Sequence, residues 1–233
     1  MKTAIFVDGA FFLKRLNRLY SKKKGFDLTS ADAIVGELEN ICYKHLNKKD
    51  SSAGATTYTR EHDLYRIFFY DCPPLAKKAH LPISKHAIDF SKTDTCQLRE
   101  AIHSKLKQRR KTALRLGKLQ DIGGWVIKPK VMKDLFVGNK QFTELVDDDF
   151  YYDIRQKSVD MKIGLDIASV SYKKQVERIV LIAGDSDFVP AAKLARREGI
   201  DFILDPMWQN ISPDLYEHID GLTSNCFRLP PKK

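Results

Sequence analysis

RIVLIAGDSDFVPAAKLARREGIDFIL, residues 178–204, is the stretch on which the fold turns. Arg178 to Ala183 is a continuous apolar run rich in β-branched residues, the pattern of a strand covered on both faces. GDSD at 184–187 supplies turn chemistry, and Phe188 to Glu198 then reads as a helix. Ile200 to Leu204 returns to a short buried strand. Strand, turn, helix, strand is a βαβ unit, with a right-handed crossover and parallel strands.

Working outward, Val159 to Tyr172 (VDMKIGLDIASVSY) has helical patterning, and Phe150 to Arg155 before it is a strand candidate. At the other end of the chain, TAIFVD (residues 3–8) is an apolar run that stops on a carboxylate. Helices are predicted from Ala10 to Tyr20 and from Ser30, as N-cap, to Leu46. LYRIFFY (64–70) is a further strand, halted by Asp71-Cys72-Pro73-Pro74. The polar, Gly/Ser-rich stretch from Lys48 to Thr59 reads as a loop.

Residues 75–149 break this alternation. A helix is predicted from about Thr95 to Leu116, and a hairpin (WVIKPKVM) after Gly123-Gly124, confined by Pro129 to a sheet edge. The whole is read as a single domain over residues 1–233 of the α/β class. A mainly parallel central sheet carries a basic helical and hairpin insertion at about 75–149.

Composition narrows the chemistry. With 43% hydrophobic residues the chain can fill a core, and no apolar run approaches the roughly 18 residues of a membrane span. The N-terminus lacks the pattern of a signal peptide, so a cytoplasmic location is expected. Cys42, Cys72, Cys96 and Cys226 are scattered, which fits reduced core thiols better than zinc or disulfides. Histidines show no metal-binding spacing, so any metal would be a hard cation on oxygen ligands. Net charge is +10, of which +9 falls in residues 74–120. That concentration points to a polyanion partner, against the plainer reading of a solvated basic surface.

Ligands of an open parallel sheet bind outside the carboxyl ends of its strands, where strand order reverses. Asp8 ends the first strand, and Asp185 and Asp187 follow a later one. Asp160 begins a helix after RQKSVD. If the two Asp-bearing strands are neighbours, four carboxylates converge, and a divalent ion would neutralise them. Each has a plainer role as a helix cap or first-turn acid. Asp166 is either a supporting carboxylate or the partner of a base such as Lys157 or Lys162. Asp147-Asp148-Asp149 reads as a solvated loop. Ser186 would contact a phosphate oxygen, but no histidine accompanies it for nucleophilic work. Lys105, Arg109 and Arg110, in the basic stretch, would grip a nucleic-acid backbone without reading its sequence.

MKTAIFVDGAFF (1–12), QKSVDMKIGLDIASVSY (156–172) and residues 178–204 together resemble the NYN domain family, in its LabA-like bacterial branch. That family belongs to the PIN-like nuclease superfamily. The resemblance covers the start of the chain and residues 150–205. It implies a three-layer α/β/α Rossmann-like PIN-type fold and a metal-dependent ribonuclease site using Mg²⁺ or Mn²⁺ on RNA, single-stranded by expectation. By motif the acidic positions are Asp8, Asp160, Asp185 and Asp187, with Asp166 beside them. The chain departs from the family where many members carry Asn, three residues after the first Asp: it has Phe11. The basic insertion is a second departure. The rival reading is an RNA-binding or regulatory module without turnover. A phosphatase of the haloacid dehalogenase type would want a second Asp where Ala10 stands.

Overall fold

A computed structural model describes residues 1–50 and 57–230. The chain runs β1 (Lys2–Asp8), α1 (Gly9–Tyr20), α2 (Ala31–Lys44), β2 (Asn47–Asp50), β3 (Thr57–Arg60) and β4 (Asp63–Asp71). Then follow β5 (Lys78–His80), β6 (Ala87–Asp89), α3 (Asp94–Gln108), β7 (Thr112–Leu116), β8 (Lys118–Ile127) and α4 (Pro129–Phe136). The remainder is β9 (Phe150–Lys157), α5 (Val159–Tyr172), β10 (Arg178–Ile182), α6 (Val189–Arg197), β11 (Asp201–Asp205), α7 (Pro213–Glu217) and β12 (Gly221–Leu222).

Six strands form one sheet in the order β12-β11-β10-β1-β4-β7, every pair parallel. Period-two alternation splits their side chains between two faces. Ile5 and Val7 of β1 join Phe12, Leu16, Ile34, Leu38, Ile102 and Leu106 from α1, α2 and α3 on one side. Ala4 and Phe6 join Ile163, Ile167, Ala192, Ala195 and Leu215 from α5, α6 and α7 on the other. The architecture is therefore three-layer α/β/α, as the βαβ reading requires. From β1 the chain builds outward through β4 to β7, and in the other direction through β10 to β12. The switch point of strand order lies at β1 and β10.

Four expectations are corrected. The helix predicted to reach Leu116 ends at Gln108, and Lys111 turns the chain in a left-handed conformation (φ 58°). Thr112–Leu116 then pairs with Ile67–Asp71 as the edge strand. Pairing with the open edge of β4 outweighs local helix propensity. The stretch 75–149 is thus divided, because α3 and β7 complete the main layers. Its periphery consists of two antiparallel pairs, β5 with β6 and β8 with β9.

Pro129 does not sit in a hairpin. It starts α4, where its missing N–H is harmless, while Trp125–Ile127 pairs with Phe150–Tyr152. β9 pairs with β8 outside the central sheet. Finally, Asn47–Asp50 and Thr57–Arg60 pair as antiparallel strands inside the stretch read as a loop. Residues 51–56 of that stretch lie outside the described residues. The peripheral pairs share a small aromatic cluster of Phe90, Trp125 and Tyr152, and Asp121 binds Lys77 at 2.6 Å. All four cysteines are buried and free. Among the described residues, no helix is long and apolar enough to cross a membrane.

Candidate active site

Asp8 stands at the last position of β1 and caps α1, its Oδ1 accepting the Phe11 N–H at 3.1 Å. The chain can turn there because residue 9 is glycine: a Cβ would lie 2.5 Å from the Tyr70 carbonyl oxygen of β4. One strand over, β10 ends at Ile182, and the turn Ala183–Asp185 leads into a short 3₁₀ segment, Ser186–Phe188. Asp185 caps that segment through the Asp187 N–H at 3.1 Å. Asp160 enters from α5, one residue into its first turn, after Ser158 in a left-handed conformation (φ 69°).

These side chains feel one another. Burial pushes the Asp8 carboxyl up to about 6, partly offset by the Phe11 N–H, and the negative charge of Asp160 adds to the rise. Asp160 is likewise raised, first by desolvation, then by the charges of Asp185 and Asp187. Asp160, Asp185, Ser186 and Asp187 reach solvent, while Asp8 is half-buried. Asp8, Phe11, Lys14, Asp185, Ser186 and Gln209 line one open depression. The four aspartates therefore share an electrostatic neighbourhood at the switch point.

They do not converge within a few ångströms, however. Among the described residues, Asp214, Glu217 and His218 form the one group whose ligand atoms all lie within 4.8 Å of each other. No three of the four aspartates meet that closeness, since like charges at a solvated rim keep apart. Asp166 is elsewhere: its Oδ2 accepts the Tyr70 hydroxyl at 2.7 Å and pairs with Arg115 at 3.5 Å. Its partner is neither Lys157 nor Lys162, and Lys162 instead donates to the Leu116 carbonyl.

The basic residues also fall differently. Lys105 pairs with Asp32 at 2.7 Å and Arg109 with Glu39 at 3.2 Å, tying α3 to α2, and Arg110 is exposed beside them. Thr112 is level with Ile67, and Ile67 with Ile5. Arg109 and Arg110 precede that level, so they lie at least roughly 10 Å back along the strands and roughly 10 Å sideways from Asp8. They therefore do not border the carboxylates. Lys14 borders them instead. Within the acidic run 147–149, Asp149 is buried against Lys140 and Asp147 accepts the Ile83 and Ser84 N–H groups.

Asp71 went unnoticed in the sequence. It ends β4 as Asp8 ends β1, and the signal was the shared pattern of an apolar run closing on Asp. It is fully buried, held by His103 Nε2 at 2.7 Å and Arg99 Nε at 3.2 Å, and its Oδ1 has no partner among the described residues. Its charge contributes, as the smallest cause, to the rise at Asp8.

The NYN domain model matches residues 99–221, more than half of the chain, and takes in Asp160, Asp185 and Asp187. The chain belongs to the NYN domain family. NYN domains lie within the PIN-like nuclease superfamily. In this NYN domain Asp8 precedes the matched span, and β1 brings it to the site by pairing with β10. No curated protein matches the chain. A Vibrio parahaemolyticus protein of unknown function is similar at 15% identity, over 96% of this chain and 91% of that one. Its TM-score of 0.44 is too loose a likeness to argue from. Against the family pattern, the Phe11 ring packs against the turn at Gly184.

Proposed function

We propose that this chain is a metal-dependent ribonuclease that hydrolyses RNA phosphodiester bonds at the rim formed by Asp8, Asp160, Asp185 and Asp187. The observation that carries this reading is the meeting of acids from three separate elements at the sheet's switch point, where the charge of Asp160 reaches Asp8 and the charges of Asp185 and Asp187 reach Asp160. An all-carboxylate donor set suits a hard divalent ion, Mg²⁺ or Mn²⁺, and the raised Asp8 carboxyl is a charge that such an ion would relieve. When bound, the ion would supply Lewis-acid activation of water and charge neutralisation at the phosphate. Asp8, preset by its bond to the α1 N-terminus, and Asp185, preset by its own turn, would be the fixed ligands. Asp160 and Asp187 would swing in from the solvent side. Ser186 would donate to a phosphate oxygen. Lys14, on the same depression, would hold the substrate's negative charge.

A second reading, an RNA-binding module without turnover, has its own support: Phe11 stands where an amide would help position metal or substrate, and the four acids are spread. The experiment is cleavage of a labelled single-stranded RNA in Mn²⁺ by the wild-type chain and by Asp185→Asn. Loss of cleavage in the variant supports the nuclease; equal cleavage removes these residues from the chemistry. RNA binding in EDTA with no cleavage under any divalent ion selects the second reading.

A further inference from the structure

A cavity of about 700 Å³ lies beside the carboxylates, sharing Gln209 with the depression that holds Asp8 and Asp185. Arg15, Arg18, Trp208, Gln209 and Arg228 are among its lining residues. A second depression, lined by Lys14, Arg18 and Gln209, connects it to the one holding Asp8 and Asp185: Lys14 and Gln209 line both, and Gln209 lines all three. Lys14 and Arg18 are one turn apart on the exposed face of α1. Neither they nor Arg228 pair with a carboxylate among the described residues, and no Asp or Glu lines the two outer depressions. Arg18 lies about 15 Å along α1 from Asp8, the rise of roughly four stacked nucleotides.

At the far end, Trp208 is held in an unusual posture. Met207 and Trp208 are both left-handed (φ 46° and 61°), a conformation that bulky residues avoid. The turn is pinned from every side. Buried Asp205 accepts the Met207 N–H at 2.8 Å, and buried Arg15 donates Nε to the Met207 carbonyl at 3.1 Å. Ser224 accepts the Trp208 N–H at 3.0 Å, and the indole N–H donates to the Cys226 carbonyl at 3.1 Å. A network of this kind fixes the indole of a residue that is nonetheless 40% exposed, with the Arg228 guanidinium 4.6 Å above the ring. A rigid exposed aromatic under a cation, at the end of an unpaired basic track, matches how single-stranded nucleic acid is held: phosphates on Lys and Arg, a base on an aromatic face.

We propose that a single strand of nucleic acid runs from the aspartates along α1, its phosphates on Lys14 and Arg18, and stacks a base on the exposed part of the Trp208 indole beside Arg228. The idea rests on the nuclease reading for its starting point, but its test is separate. The full chain in EDTA is titrated into fluorescein-labelled oligouridylate, RNA and DNA in parallel arms, over a range of salt. Trp208→Ala should weaken binding about five- to a hundredfold, with Trp208→Phe weakened least. Lys14→Ala and Arg18→Ala should each lower the slope of log affinity against log salt by about 0.7. The chain has two tryptophans, so in a Trp125→Phe background the emission of Trp208 should be quenched at saturation. Lys105→Ala and Arg109→Ala should bind like the parent chain. If Trp208→Ala fails to fold, the quench and the Arg18 slope carry the test. Unquenched Trp208 together with unchanged slopes overturns the proposal. Should Mn²⁺-dependent cleavage persist while these variants bind normally, the groove is wrong and the nuclease stands. Groove-dependent binding without cleavage has the opposite meaning.

Discussion

The Phe11 ring lies so close to Gly184 that a Cβ there would sit 2.6 Å from Cε2 of Phe11, with Gln209 Nε2 at 2.8 Å on another side. This contact couples the first turn of α1 to the turn that presents Asp185. Gly184→Ala should therefore shift that turn and cost about 1–3 kcal/mol in denaturant unfolding, since a Cβ at 2.6 Å forces the Phe11 ring or the turn to move. Adding Phe11→Ala should recover most of the loss. A Gly184→Ala protein of unchanged stability would show that the contact relaxes freely.

Phe11→Asn replaces that ring with the amide many NYN domains carry. It should tighten Mn²⁺ binding and speed RNA cleavage several-fold, measured by calorimetry and by single-turnover assay. An indifferent result would mean the site is complete without an amide there.

Asp8→Asn keeps a good helix cap and removes a costly charge. In the native chain the carboxyl titrates near pH 6, against about 3.9 when unfolded. Between those values the unfolded state loses its proton first, so native stability falls as pH rises through the window and stays lower above it. In EDTA the variant should exceed wild type by about 1–2 kcal/mol at about pH 8, a figure discounted for partial exposure, and by nothing near about pH 3. An equal gain at both pH values would assign the effect to packing. Mn²⁺ affinity of the wild type should drop about tenfold per pH unit below about 6, because metal and proton compete for the same oxygen.

Asp166 is bonded to Tyr70 and Arg115, not to the rim. Asp166→Asn should leave Mn²⁺ affinity within about twofold, and Tyr70→Phe should lower stability by about 1 kcal/mol, the ordinary worth of one hydrogen bond. A large loss of metal affinity in Asp166→Asn would return this residue to the site.

Much of the fold can be read directly from residue order. IFVD, RIVLIAGDSD and the 159–172 helix announce themselves because their signals are local: apolar runs of strand length, a turn chemistry, a cap, a helical period. Their boundaries in the structure differ by a residue or two. The candidate acids Asp8, Asp185 and Asp187 are legible for the same reason, since a strand closing on Asp, or on an Asp-bearing turn, at a parallel sheet's carboxyl edge is a pattern along one segment. Asp71 obeys that pattern too, but the Pro73-Pro74 pair that follows it gives the same position the chemistry of a strand stop.

Thr112–Leu116 is different. Nothing within KTALRLG separates strand from helix end, and what decides is the unpaired edge of β4, contributed some forty residues earlier. The basic residues teach the same lesson: composition counts charges, but whether Arg109 or Lys14 borders the aspartates depends on which end of the sheet each residue occupies. Trp208 is the extreme case, a solitary aromatic in sequence whose posture is set by Asp205, Arg15, Ser224 and the chain at Cys226 together. Local chemistry specifies elements and their acidic ends; which ends meet, and which charges are left over once pairs have formed, is determined by long-range packing that brings distant segments into one place.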